Sequence, residues 1–159
     1  MRVFLGLGAN LRDPQRQMEG AIARLGQPLT ASSLYRTAPV GGPAGQPDYL
    51  NAVIIIAWDR SPFALLALIH QIEADFGRER LVRFGPRTLD IDIVAIDGLT
   101  IESASLTVPH PRAHERAFVL VPLAEVSSEY ATILGWDGSS RAEVMNVANF
   151  DVESSTWVP

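Results

Sequence analysis

Leu89-Asp90-Ile91-Asp92-Ile93-Val94 places two carboxylates two positions apart inside an otherwise apolar run. In a strand, alternate side chains share a face, so Asp90 and Asp92 point one way and Leu89, Ile91 and Ile93 the other. The two acids then lie roughly 7 Å apart at the backbone and repel each other. A hard cation removes that cost. Carboxylate oxygens are the ligands magnesium takes, one or two per ion, with water and substrate phosphates completing the shell. For D-x-D alone, two acids on the wet face of a half-buried strand would be the better account. The preceding segment changes the balance, because Arg78, Arg80, Arg83 and Arg87 put four arginines into ten residues directly ahead of the pair. Arginine grips phosphate oxygens with a planar fork and does not lose its charge. Guanidinium groups beside metal-binding carboxylates are what phosphoryl transfer demands, since charge on the equatorial oxygens must be neutralised from several sides. Gly77 and Gly85-Pro86 bracket the arginines like hinges, which makes a mobile lid as good a reading as a solvated charge run.

Other candidates are weaker taken singly. His110 is held between Pro109 and Pro111, with His114 and Arg116 close behind. It could donate to a phosphate, but on spacing alone a turn histidine bonded to backbone is the better account. Three histidines and no cysteine give no recognisable zinc spacing. Tyr49 and Asn51 share a strand face by the same alternation, and an aromatic plane beside a carboxamide suits a flat heterocycle. Phe118 could supply a second plane, although each of the three, taken singly, is better read as ordinary core.

Composition narrows the field. The chain has 159 residues, 47% of them hydrophobic and 19% charged, as expected of a single globular domain. A net charge of −5 argues against a general nucleic-acid partner. No run approaches the roughly 20 apolar residues of a membrane span. Met1 to Gly8 is apolar but short, and runs into Asn10 without a small-residue cleavage site, so it reads as a strand. The absence of cysteine excludes disulfides and thiolate metal sites and agrees with a cytoplasmic location. All thirteen basic residues are arginine, and six of them fall between Arg78 and Arg116. Without lysine, neither a P-loop nor Schiff-base chemistry is open to the chain.

The elements that must position these residues follow from punctuation and periodicity. Residues 2–8 suggest a strand. Asp13-Pro14 opens a helix as an N-cap acid and first-turn proline, with Met18, Ala21, Ile22 and Leu25 at helical spacing and Gly26 as the stop. Residues 30–37 read as a second strand. Ala38 to Pro47, with three prolines and three glycines, is a loop too long for mere connection. Residues 48–57 form a third strand, Ser61-Pro62 opens a second helix reaching about Phe76, and residues 88–96 make a fourth strand. A hairpin-like segment from Gly98 to Val108, a helix over 115–126 and a short helix over 140–149 complete the expectation. Strand, helix, strand, strand, helix, strand is the α+β, ferredoxin-like βαββαβ order, here with an added helix and hairpin.

Beyond these local patterns, Gly85-Pro86-Arg87-Thr88-Leu89-Asp90-Ile91-Asp92 resembles the signature of the 6-hydroxymethyl-7,8-dihydropterin pyrophosphokinase family. Gly6-Leu7-Gly8-Ala9-Asn10-Leu11, Leu34 to Pro39, Gln46 to Ala52, Ile72-Glu73 with Gly77-Arg78, Leu106 to His110, and Arg116 to Leu123 extend the likeness. It covers a core of residues 3–126 and leaves 127–159 as an extension of a domain spanning 1–159. The resemblance implies a magnesium-dependent enzyme of folate biosynthesis that moves pyrophosphate from ATP to the hydroxymethyl group of the pterin and releases AMP. It implies that Asp90 and Asp92 hold a pair of magnesium ions, and that Arg78 and Arg87 act on the transition state. His70, Glu73, Arg80, Arg83, His110 and Arg116 would hold the nucleotide. Thr37 and Val40, through backbone, would bind the pterin with Tyr49, Asn51 and Phe118. The family often carries glutamine at the place of His70 and tryptophan at that of Phe84. A monomer is expected, with no nucleic-acid or membrane partner. Two rivals use the same features: a nucleotidyl or single-phosphoryl transferase, which product identity separates, and an RNA-binding ferredoxin-like module, which the acidic charge and paired aspartates disfavour.

Overall fold

A computed structural model describes residues 1–39, 44–77, 89–139 and 143–159 of the chain. Its strands are β1 (Arg2–Ala9), β2 (Thr30–Ala31), β3 (Leu34–Thr37), β4 (Tyr49–Ala57), β5 (Asp90–Ile96), β6 (Ile101–Glu102), β7 (Thr107–Val108), β8 (Met145–Asp151) and β9 (Thr156–Val158). The helices are α1 (Pro14–Leu25), α2 (Pro62–Asp75), α3 (Ala117–Val126) and α4 (Ser128–Ile133), with a 3-10 turn at Ala113–Glu115 just ahead of α3. The main sheet runs β5-β1-β4-β3-β8-β9, with β2 also on β4, and its pairings are antiparallel. Its first four members, with α1 and α2 between them in sequence, give the expected ferredoxin-like α+β core. β6 and β7 pair as the expected hairpin.

Alternation along the strands sorts the two layers. Val3, Leu5 and Leu7 of β1, Ile54 and Ile56 of β4, and Ile91 and Ile93 of β5 pack on one face against Met18, Ile22, Leu65, Ile69 and Ile72 of α1 and α2. The opposite face presents Phe4, Val53, Ile55 and Val94 to Val119 and Leu123 of α3 and Ala131 of α4. Gly6, Gly8, Asn51, Asp90 and Asp92 belong to this second face by register.

The local rules mostly hold. The Ser61 hydroxyl accepts from Ala64 N at 3.1 Å and caps α2. Gly26 ends α1 at a φ of 104°, where a side chain would be strained. Asp13 departs from its expected capping role. It lies in the left-handed region at φ 57° with no side-chain cap, and only its carbonyl serves the helix, accepting from Gln17 N at 3.2 Å. The expected strand over 30–37 is broken at Ser32-Ser33, where side chains replace the ladder. Ser32 Oγ accepts from Val53 N at 2.9 Å, and Ser33 N and Oγ donate to the Glu125 carboxylate. The helix expected over 140–149 is corrected: residues 145–151 are strand β8, paired with β3. The open edge of β3 offered hydrogen bonds that a ten-residue isolated helix could not match. Among the described residues, no helix is long and apolar enough to cross a membrane.

Candidate active site

Two rows of residues cross the three strands β4, β1 and β5. Asn51, Gly8 and Asp90 form one; Val53, Gly6 and Asp92 form the next. Strands are spaced about 4.8 Å apart, so the Asn51 carboxamide and the Asp90 carboxylate rise from backbones roughly 10 Å apart with only glycine between them. That gap is the floor of a shallow cavity open to solvent, lined also by Asp92, Phe118 and Val119. A Cβ on Gly8 would come within 2.9 Å of Asn51 Oδ1, and one on Gly6 within 3.3 Å of a Val94 methyl. The glycines keep the floor bare. They were matched to the family in the sequence but given no task there. The available signal was glycine inside an apolar strand, which marks a close approach by another group.

At one end of the floor, Asn51 is 5% exposed and donates from Nδ2 to Thr37 Oγ1 at 2.7 Å. Its orientation is thereby set. Tyr49 stands half-buried on the same face of β4, two positions earlier. Phe118, at the start of α3, reaches the cavity from above.

At the other end, Asp90 and Asp92 share the α3 face of β5, half-buried, as alternation required. A bulge shapes what meets them. The β1–β5 register passes from Leu5↔Ile93 to Phe4↔Ala95, so Val94 is skipped, and its carbonyl accepts from His110 N at 2.8 Å. This brings His110 Nε2 to 3.9 Å from Asp92 Oδ1. On its other side, His110 Nδ1 accepts from Arg112 N at 3.2 Å, so the neutral ring carries its proton on Nε2, toward the aspartate. Burial lowers the His110 pKa, the Arg116 charge lowers it further, and Asp90 works against both. The turn account of His110, a ring bonded to backbone, thus holds at Nδ1, while Nε2 faces the aspartate. Arg116 Nη1 lies 3.7 Å from Asp92 Oδ2, with its guanidinium carbon 5.6 Å from the centre of the Phe118 ring. Both contacts to Asp92 are too long for hydrogen bonds and act through charge.

Two adjacent carboxylates at the rim of a cavity fit a magnesium ion. Among the described residues no cluster of three or more histidine, cysteine, aspartate or glutamate side chains forms a cage. Magnesium does not need one, since it is held by one or two carboxylates and completes its shell with water and phosphate.

The structure thus gathers Asn51, Thr37, Phe118, Asp90, Asp92, His110 and Arg116 about one cavity. Glu73 is 3% exposed and faces β5, with its carboxylate accepting from Ile91 N at 3.1 Å. His70, on the same helix, is exposed. Val40, Arg78, Arg80, Arg83 and Arg87 lie outside the described residues.

Comparison with known proteins gives concordant matches. The sequence model for 7,8-dihydro-6-hydroxymethylpterin-pyrophosphokinase matches residues 4–128. A 2-amino-4-hydroxy-6-hydroxymethyldihydropteridine pyrophosphokinase from Haemophilus influenzae is 42% identical over 131 residues, covering 79% of this chain and 81% of the relative. The protein of the same description from Bacillus subtilis is 43% identical, with 79% and 78% covered. In three dimensions the chain is similar to the HPPK-DHPS protein of Plasmodium falciparum, with a TM-score of 0.66 at 13% identity, over 99% of this chain. It spans 50% of that solved chain, and the likeness bears on the fold alone.

Proposed function

Since the chain belongs to the 7,8-dihydro-6-hydroxymethylpterin-pyrophosphokinase family, we propose that the cavity between Asn51 and the Asp90–Asp92 pair is where its reaction takes place. That reaction is transfer of pyrophosphate from ATP to the hydroxymethyl group of 6-hydroxymethyl-7,8-dihydropterin, in folate biosynthesis. The hydroxymethyl oxygen bonds to the β-phosphorus, the bond from that phosphorus to the α,β-bridging oxygen breaks, and AMP leaves.

One observation carries the assignment: a carboxamide and a carboxylate pair stand at opposite ends of a glycine floor. A flat heterocycle seated at Asn51, with Tyr49 and Phe118 as its aromatic neighbours and the Thr37 and Val40 backbone at its edge, would aim an exocyclic arm along Gly8 toward Asp90. Asp90 and Asp92 would hold magnesium, which supplies divalent charge to neutralise the triphosphate. Asp92, His110 and Arg116 form an electrostatic set at the phosphate end. Arg116 offers a permanent charge, and His110 a neutral donor from Nε2. Arg78 and Arg87 are assigned to charge that develops during transfer, Arg80, Arg83 and His70 to the bound nucleotide. Catalysis in this scheme is positioning plus electrostatics.

We read residues 1–159 as one domain. In support, β8 extends the main sheet from β3, and Trp157 of β9 is buried in the same core as α1. We also read the chain as acting as a monomer, and the need for ATP supports a cytoplasmic setting. Incubating the purified protein with ATP, magnesium and hydroxymethyl-dihydropterin tests the scheme. AMP should form in step with the pterin diphosphate; ADP would mean a different transfer.

A further inference from the structure

We propose that Glu73 is a positioning residue, whose buried carboxylate holds the Asp90–Asp92 pair in place by gripping the backbone amide between them. The proposal rests on the metal-binding reading of the two aspartates. β5 is the end strand of the sheet and pairs with β1 alone among the described strands. Alternate residues of a strand direct their N–H groups to opposite sides. Ile91 N points away from β1, because it donates to Glu73 Oε2 at 3.1 Å, so the amides of Asp90 and Asp92 face inward to β1. The outward amide of a terminal strand is normally left to water. Here a carboxylate from α2 takes it, at 3% residue exposure.

Burying a carboxylate is costly unless its charge is used. A carboxylate accepts from an amide more strongly than a neutral oxygen does, so its charge serves the grip on Ile91 N. What the position requires is stiffness. Two carboxylates that repel across one pleat tend to splay apart, and metal ligands must be held to within about 0.5 Å of their working geometry. The Ile91 amide is the hinge of that splaying. The outer edge is pinned again at Val94 O, by His110 N at 2.8 Å, so Asp92 sits between two clamps. Partners that orient metal ligands typically matter by 10–100-fold in metal affinity.

Glu73→Met fills the volume but removes the acceptor; Glu73→Gln keeps an oxygen for Ile91 N. Three quantities separate positioning from direct nucleotide contact: the hydrogen-exchange rate of the Ile91 amide in ligand-free protein, the affinity for Mn2+ in the presence of a non-hydrolysable ATP analogue, and the affinity for that analogue without metal. In the Met variant, Ile91 exchange should rise and Mn2+ binding weaken by about tenfold or more, while metal-free analogue binding stays within about twofold. The Gln variant should recover most of both losses. Unchanged Mn2+ affinity and Ile91 exchange in the Met variant would overturn the proposal. So would a loss confined to metal-free analogue binding, which would make Glu73 a nucleotide contact, or a Gln variant as impaired as Met. Wild-type protein that bound no Mn2+ would instead remove the metal assignment itself, and the proposal with it.

Discussion

The two ends of the sheet face one physical problem and meet it over different lengths of chain. A terminal strand exposes unpaired amides and carbonyls, which invite other chains to pair with it. At the β5 end, single polar groups do the closing: Glu73 takes Ile91 N and His110 N takes Val94 O. On the far side, beyond β3, the chain returns on itself as β8 and β9 and adds two strands. That hairpin is fastened by Trp157. Its indole donates to Ser32 O at 2.9 Å, its backbone N donates to Glu19 at 2.9 Å, and its ring meets Phe150 edge-on at 5.2 Å. Both terminal strands are capped by a helix carboxylate, Glu73 on β5 and Glu19 on β9, and the far end differs in adding two strands before its cap. The end that carries the proposed site stops at β5; the other end is extended by a hairpin.

If that division is right, damage at one end should spare the other. Asp92→Ala has the largest expected effect. It should lower kcat/KM by at least about a thousandfold, since it removes a proposed metal ligand and the partner of Arg116 and His110, while the melting temperature moves by only a few degrees. Full activity in that variant would end the metal assignment. Trp157→Ala should do the reverse. Removing a side chain 3% exposed costs about 3–5 kcal/mol, lowering the midpoint by roughly 10 °C at this chain length. Below the transition, kcat should hold within about twofold, because no residue lining the cavity belongs to the hairpin. A large loss of kcat in folded Trp157→Ala protein would mean that the two ends are coupled.

The same contrast explains what could be read from the sequence. The face shared by Asp90 and Asp92 was legible, because a period of two is imposed by the backbone and needs no tertiary information. The approach of His110 to Asp92 was not. It depends on a bulge at Val94, and a skipped residue in a pairing leaves no trace in one strand's own sequence. Gly6 and Gly8 were visible as residues but not as a floor, since their neighbours across the sheet come from β4 and β5, about fifty and eighty positions away. Strand β8 was misread as helix for a related reason: its pattern is set by the open edge of β3, not by its own periodicity.

Gly8→Ala probes the floor itself, with a smaller effect. The new methyl would stand 2.9 Å from Asn51 Oδ1. The carboxamide can yield only by loosening its bond to Thr37, at about 1–1.5 kcal/mol. Pterin affinity should fall by roughly five- to tenfold, with kcat at saturating pterin changed much less. Unaltered pterin binding, measured by calorimetry, would show that the heterocycle does not use Asn51.

Tyr35→Phe is the mildest test and falls on the seam between the two ends, because β3 pairs with β4 on one side and β8 on the other. The Tyr35 hydroxyl donates to Glu125 Oε2 at 2.6 Å, tying β3 to α3. Burial raises the Tyr35 pKa, and the hydrogen bond to Glu125 and its charge raise it further, so the phenol stays protonated as a donor throughout the range in which the protein would be assayed. Glu125 keeps two other donors, Ser33 N and Ser33 Oγ, when the hydroxyl is removed. Its side chain lies at the surface, where water replaces what is lost. The expected cost is about 0.5–1 kcal/mol in chemical denaturation, with kcat and pterin KM unchanged. A loss of several kcal/mol would show that the seam is one cooperative network. A change in pterin KM without loss of stability would show that α3, which carries Phe118, is set by this bond and not by its packing on β4.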